Sequence, residues 1–465
     1  MKRRAASAVG LFLAASAALP ATVAAHALHE RYQAPLPLIV YVIGAAIAVA
    51  MSFAFVVLRN PRPPAERRVG AIRTVPAWLR LGLRLIGIAG WAWIVLQTFV
   101  GGSGEADVAS LFLWVYGWVG LGLVSALLGP AWSWLDPFST IHDALAWLGR
   151  RLRMSWSAPR QYPAGWGSWP AVIGFAFFVW LELVARAEGG RTLGLVLIGY
   201  TIVTLTGMAY FGRDGWRRQT EVFSVWFGLL GRLAPYALAS QPADGRVVRR
   251  PFASDLSGGW TGAHLVLIGL GTGSIIFDGL SQTQLYFDLF GGLSLLGQPL
   301  LVPSLVLIGF MALLIGVILI VARGIGADAV GAGLLPVAIG YLVAHYLTFL
   351  LVDGQRIVNA LNDPLQRGDN LLPFDLGFFE PALFLPTAIV WTIQLAAVVG
   401  GHIVGAWAGH NALIEATGRA EPRAQLPLAA LMVVLTSLTL WSLGQAVIVE
   451  DETSDVRDAI QLAAR

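Results

Sequence analysis

Two carboxylates, three histidines and a few amides supply most of the chemistry available to this chain. Glu182 lies in Trp180-Leu-Glu-Leu-Val-Ala-Arg186, Asp278 in Ser274-Ile-Ile-Phe-Asp-Gly279, and His345 in Leu342-Val-Ala-His-Tyr-Leu-Thr-Phe-Leu-Leu351. Each run is otherwise apolar, and ionisable groups in such surroundings are costly unless paired or functional. His345, Thr348, Gln355 and Asn359 follow one another at spacings of 3, 7 and 4, one face of a helix if that helix continues. Gln355 therefore joins the catalytic candidates Glu182, Asp278 and His345. Asp353, Gln394 and His402 are secondary candidates. Near the N-terminus stands His26-Ala27-Leu28-His29. If the chain is cut after Ala25, His26 offers an α-amine and an imidazole nitrogen to one ion, and His29 adds a third donor. Imidazole and carboxylate ligands suit copper or zinc, and a metal-bound water near neutral pH is a strong nucleophile. The metal-ligand candidates are His26, His29 and His345.

Each residue also has a plainer reading. Glu182 and Arg186 stand four apart and could form a simple helical ion pair. Asp278-Gly279 could merely end a helix. His345 could be bonded to a neighbouring helix, and His26 could be one polar residue before the first span. His410 reads as interfacial, and His264 and His142 fall on the side away from the other candidates.

The elements that must position these groups are membrane spans. Of 465 residues, 57% are hydrophobic and only 12% charged, against about 25% charged in soluble domains. Cysteine is absent, which excludes disulfides, thiolate metal sites and a cysteine nucleophile. Lys2 is the only lysine, so a mature chain cut after Ala25 would have no lysine base. The net charge of +4 reflects arginines confined to particular loops, a topology signal with no nucleic-acid partner indicated. Residues 1–25 combine Lys2, Arg3 and Arg4, an apolar run from Ala8 to Leu19, and Val23-Ala24-Ala25, the pattern of a cleaved signal peptide.

Ten runs are long and apolar enough to span: about 36–58, 79–100, 108–128, 169–187, 193–212, 261–280, 301–323, 331–352, 383–408 and 426–447. The expected fold is an all-α polytopic transmembrane bundle over 26–449, followed by an acidic tail, 450–465. Every second loop is arginine-rich: Arg59 to Arg80, Arg150 to Arg160, Arg213 to Arg250. The alternate loops are acidic. A bacterial inner-membrane protein with both mature termini in the periplasm follows from that alternation. Leu128–Trp147 reads as a turn and an amphipathic interfacial helix, and Thr220–Ala239 as interfacial or re-entrant. In this topology Glu182, Asp278, His345, Asp353 and Gln355 all fall in the outer leaflet or at its surface, the side where His26 and His29 emerge.

Several segments are familiar as an ordered set. They include His26-Ala27-Leu28 with Pro35-Leu36-Pro37, Val124-Ser125-Ala126-Leu127 with Asp136-Pro137, and Trp180-Leu-Glu-Leu-Val184. Phe277-Asp278-Gly279, Ala344-His345-Tyr346 with Gly354-Gln355, Asp363-Pro364-Leu365, and Gln394, Gly401-His402 and His410 follow. Together they resemble the bacterial membrane proteins known as fenitrothion hydrolases, from the signal peptide to the last span. The resemblance implies hydrolysis of an organophosphate triester at the P–O bond to a nitrophenol leaving group. It supplies no catalytic residues; those above come from topology and chemistry.

The expected function is a membrane-embedded phosphotriesterase, metal-assisted, with its site on the periplasmic side. Its substrate would be an apolar organophosphate-type molecule drawn from the bilayer. The alternative is a transporter or a copper- or divalent-metal-handling permease, since intramembrane polar groups and Gly-rich helices serve a pathway equally well. A third reading is an assembly or sensory protein without catalysis. Self-association and pairing with a related membrane subunit stay open alternatives.

Overall fold

Apolar runs of about twenty residues satisfy their backbone polar groups inside lipid only as helices, and the chain folds accordingly. The computed structural model describes residues 38–59, 72–101, 107–129, 131–153, 159–186, 190–238, 245–372, 379–418 and 423–441. The signal segment, His26, His29 and the acidic tail lie outside the described residues.

The principal helices are α1 (Leu38–Arg59), α2 (Ala77–Val100), α3 (Val108–Leu127), α4 (Pro137–Arg151), α5 (Trp169–Leu183) and α6 (Gly190–Phe211). After them come α7 (Arg213–Gln219), α8 (Val222–Leu230), α9 (Gly262–Ser281), α10 (Leu301–Ile325), α11 (Ala327–Val352), α12 (Thr387–Thr417) and α13 (Arg423–Trp441). Eight helices are long and apolar enough to cross a membrane. They are α2, α3, α6, α9, α10, α12, α13 and α11 with its continuation to Asn362. The other two expected spans coincide with α5 and with α1, whose apolar stretch Ile43–Ala54 is shorter. The chain is a multi-pass helical membrane protein.

The two segments set apart in the sequence are also helical and short. Asp136 caps the N-terminus of α4, accepting from the backbone N–H groups of Phe138 and Ser139. In α8, Val222, Phe223, Val225, Trp226, Phe227, Leu229 and Leu230 are buried. Nine residues cannot cross a bilayer, so α8 is an inserted segment and not a span. The structure departs from an all-α fold in one place. Strands β1 (Ile72–Thr74), β2 (Tyr236–Leu238) and β3 (Arg246–Arg249) form an antiparallel sheet in the order β1-β3-β2. Three- and four-residue strands in loops carry too little alternation to be read from sequence.

Close helix packing fixes the interior. A Cβ at Gly401 would lie 2.6 Å from the Pro336 carbonyl oxygen, and one at Gly405 would lie 2.3 Å from that of Gly333. Small residues one turn apart thus let α12 lie directly on α11, which sets the position of His345. Trp260 ties the start of α9 to the start of α11, its backbone N–H donating to Asp328 at 2.9 Å. Both helices therefore begin at the arginine-rich end of the bundle, beside Arg232, whose guanidinium stacks on Trp260 at 3.9 Å.

Candidate active site

Glu182 is the penultimate residue of α5, Asp278 lies one turn before the end of α9, and His345 lies two turns before the end of α11. These three helices run in parallel, so their C-terminal portions meet at the end of the bundle away from the arginines. His345 Nε2 is 2.7 Å from Asp278 Oδ2. Both side chains are largely buried, 13% and 26% exposed. A carboxylate beside Nε2 favours the tautomer with its proton there. Nδ1, which makes no hydrogen bond among the described residues, is then the basic nitrogen.

Tyr346, next in sequence, crosses to α5 and donates its hydroxyl to Glu182 Oε1 at 3.2 Å. Glu182 Oε2 is buried without a hydrogen-bond partner among the described residues. Gln282 donates to Asp278 Oδ1 at 3.2 Å, leaving Oδ2 for His345. The tyrosine ring stands edge-on to the imidazole, with centroids 4.7 Å apart.

The plainer readings of Glu182 and Asp278 do not describe this geometry. α5 ends at Leu183, and Arg186 adopts a positive φ of 45°, so no Glu182–Arg186 ion pair forms. α9 continues past Asp278-Gly279 to Ser281, so that pair does not end the helix.

The remaining candidates are placed elsewhere. After Val352 the helix tightens to a 3-10 turn over Asp353–Arg356, which breaks the single face expected from His345 to Asn359. Gln355 donates to the carbonyls of Leu351 and Ala382 at 2.5 and 2.7 Å. Asn359 donates to the Phe379 carbonyl and accepts from its N–H. Both amides pin the 379–382 segment. Asp353 pairs with Arg356 at 2.9 Å. Gln394 donates to the Ala344 carbonyl at 2.6 Å, holding α12 to the turn before His345. His402 is fully buried. Its Nδ1 is 2.7 Å from the Val398 carbonyl and its Nε2 2.6 Å from Thr436, so it links α12 to α13.

Among the described residues, no group of three histidine, aspartate or glutamate side chains could hold a metal ion. His345 has committed Nε2 to Asp278, and Glu182 accepts from Tyr346. The described residues alone do not make a metal site, and a metal here needs the two donors His26 and His29.

Sequence reasoning missed Tyr346 and Gln282. Tyr346 stands within the quoted motif beside His345, and Gln282 is four residues from Asp278, the spacing of one helical turn. A second buried polar group was missed at the arginine-rich end. Glu221 caps α8, accepting from the Phe223 and Ser224 N–H groups, the Tyr200 hydroxyl at 2.5 Å and the Trp132 indole at 2.9 Å. Between Glu221 and Glu182 the interior is filled by aromatic rings. Phe175 lies 4.8 Å from Trp226, and Phe178 lies 4.9 Å from Trp118.

Compared with known proteins, the chain matches no family model, no curated protein and no solved structure.

Proposed function

We propose that the chain is a membrane-embedded hydrolase of apolar organophosphate triesters, with His345 as general base. The observation that carries this reading is the 2.7 Å pair between His345 Nε2 and Asp278 Oδ2. A histidine oriented by a carboxylate, with its other nitrogen unbonded, is the arrangement that takes a proton from water as the water attacks. Water adds to phosphorus, its proton passes to Nδ1, and the P–O bond to the aryl group breaks. A nitrophenolate leaves with little need for a general acid. Asp278 holds the imidazole and stabilises the imidazolium that forms. The resemblance to fenitrothion hydrolases supports the substrate class. An aryl triester concentrates in lipid, where a site between helix ends can meet it.

In this proposal the chain spans a bacterial inner membrane ten times after signal cleavage at Ala25. The arginine-rich end is cytoplasmic and the His345 end periplasmic. Mature His26 and His29 then emerge beside the site. A divalent metal, copper or zinc, would be held by those two residues with His345 and would supply Lewis-acid activation of water.

One observation favours a transporter or permease instead. Glu182 Oε2 is buried without a partner, as a proton-carrying carboxylate would be. The aromatic rings between Glu182 and Glu221 weigh against a continuous polar path in this conformation. Nitrophenol release from a nitrophenyl triester by purified protein in proteoliposomes tests the hydrolase. Uptake of copper, zinc or protons by the same vesicles, with no release, would replace it by the transporter.

A further inference from the structure

At the opposite end of the bundle, α2, α4 and α7 enclose a hollow of about 390 Å³. Arg80, Arg84, Arg213 and Arg217 line it together with Asp136 and Asp143. Arginines at the cytoplasmic ends of spans are expected as topology determinants, but that role asks only for charge in a loop. It does not require arginines more than a hundred residues apart to share one cavity.

The charges in the hollow do not balance. Asp143 takes both of its near partners from the arginines, with Arg213 2.8 Å from each carboxylate oxygen and Arg84 at 3.4 Å. Asp136 is occupied by the α4 cap and by the Ser139 hydroxyl at 2.5 Å. Arg217 makes no hydrogen bond or ion pair with a described residue. Four guanidinium groups facing two already engaged carboxylates leave a cavity suited to an added anion. Planar guanidinium groups match the oxygens of a phosphate in particular.

The rim gives the depth. Trp78 is 74% exposed and Leu81 is 58% exposed on α2, and Trp147 is 60% exposed on α4. Exposed tryptophan beside arginine is the composition of a headgroup layer, with apolar surface next to it for acyl chains.

We propose that this hollow binds a phosphate group, and that its occupant is the headgroup of an acidic phospholipid of the cytoplasmic leaflet. The proposal is independent of the hydrolase reading. The test is thermal unfolding of the delipidated full-length protein in neutral detergent. It is titrated with phosphatidylglycerol, with phosphatidylcholine, or with inorganic phosphate. Phosphatidylglycerol should stabilise saturably and phosphatidylcholine should not. Arg217→Gln should weaken the phosphatidylglycerol response by about fivefold, the effect of one arginine near an anionic headgroup, and Arg217→Lys should recover most of it. Arg323→Gln, at the end of α10 and outside the hollow, should change nothing. Equal responses to the two lipids, or a normal response in Arg217→Gln, would overturn the proposal. If inorganic phosphate alone gives the Arg217-dependent shift at millimolar concentration, the phosphate site stands and its occupant is a soluble anion.

Discussion

His345 on α11 and Asp278 on α9 face each other across a helix interface, Nε2 to Oδ2 at 2.7 Å. They are 67 residues apart in sequence, and neither is in the polar environment that would make such a pair ordinary. The pair gives the imidazole a defined tautomer, and every functional statement about this end of the bundle depends on that.

Asp278→Asn should therefore be far more damaging to catalysis than to folding. An amide still fits and still bonds, but its NH2 can donate to Nε2 and so move the imidazole proton to Nδ1. Turnover of a nitrophenyl triester should fall by about a hundredfold or more, with KM little changed and the protein still inserted. Retention of most turnover by Asp278→Asn would leave the carboxylate without a role in orienting His345.

Glu182 and Tyr346 should behave as a coupled pair. Tyr346→Phe leaves both carboxylate oxygens of Glu182 without a described partner, a loss of about 1–3 kcal/mol for a buried polar group. Glu182→Gln should cost less. The double variant should be less destabilised than the sum of the two, as expected of partners in one hydrogen bond. Thermal unfolding in detergent measures this, and strictly additive losses would mean that the 3.2 Å contact contributes nothing.

The spans were readable because lipid imposes a length and a composition on each of them. Glu182, Asp278 and His345 could be assigned to one end because alternating arginine loops orient the helices. What could not be read was anything set by irregular backbone. The stripe from His345 through Gln355 to Asn359 assumed an unbroken α-helix, and the turn at Asp353–Arg356 sends the two amides to another segment. Glu182 with Arg186 failed as a helical pair because α5 stops at Leu183. Asp136 and Glu221 looked unremarkable in sequence because a helix cap shows its burial only when the helices are packed.

At the arginine-rich surface, burial alone raises the Asp143 carboxyl. The His142 hydrogen bond and the charges of Arg213 and Arg84 outweigh it and hold the group below its ordinary value of 3.8. A depressed carboxylate contributes stability that is complete above its unfolded value and is lost as pH falls through the folded one. Asp143→Asn should thus be less stable than the parent chain at neutral pH, by roughly 1 kcal/mol at most for a partly exposed pair. The two should converge below pH 3.8. A difference that persists unchanged in acid would show that packing, not charge, is responsible.

The N-terminal histidines give a separate test. Cleavage between Ala25 and His26 should be found by N-terminal sequencing, and copper or zinc by metal analysis of the mature protein. One alanine inserted before His26 keeps its imidazole but moves the α-amine away, and should lower bound metal. Unchanged metal content would remove the N-terminal chelate.

The orientation of the bundle can be read with reporters. A fusion after Ala25 or at the C-terminus should be periplasmic, and one within Arg59 to Arg80 cytoplasmic. A cytoplasmic C-terminus would require an odd number of spans and would place the His345 site on the wrong side.

The most direct measurement is nitrophenol release by the parent chain, His345→Ala and His345→Gln, reconstituted at equal amounts in lipid. Glutamine can bond to Asp278 and preserve the packing of α9 against α11, but it is a very poor base. If His345 is the general base, the parent chain releases nitrophenol and both variants are nearly inactive, while His345→Gln unfolds at the parent temperature. If instead His345→Gln releases nitrophenol at the parent rate, the 2.7 Å pair is a structural bond between two helices and the catalytic account fails.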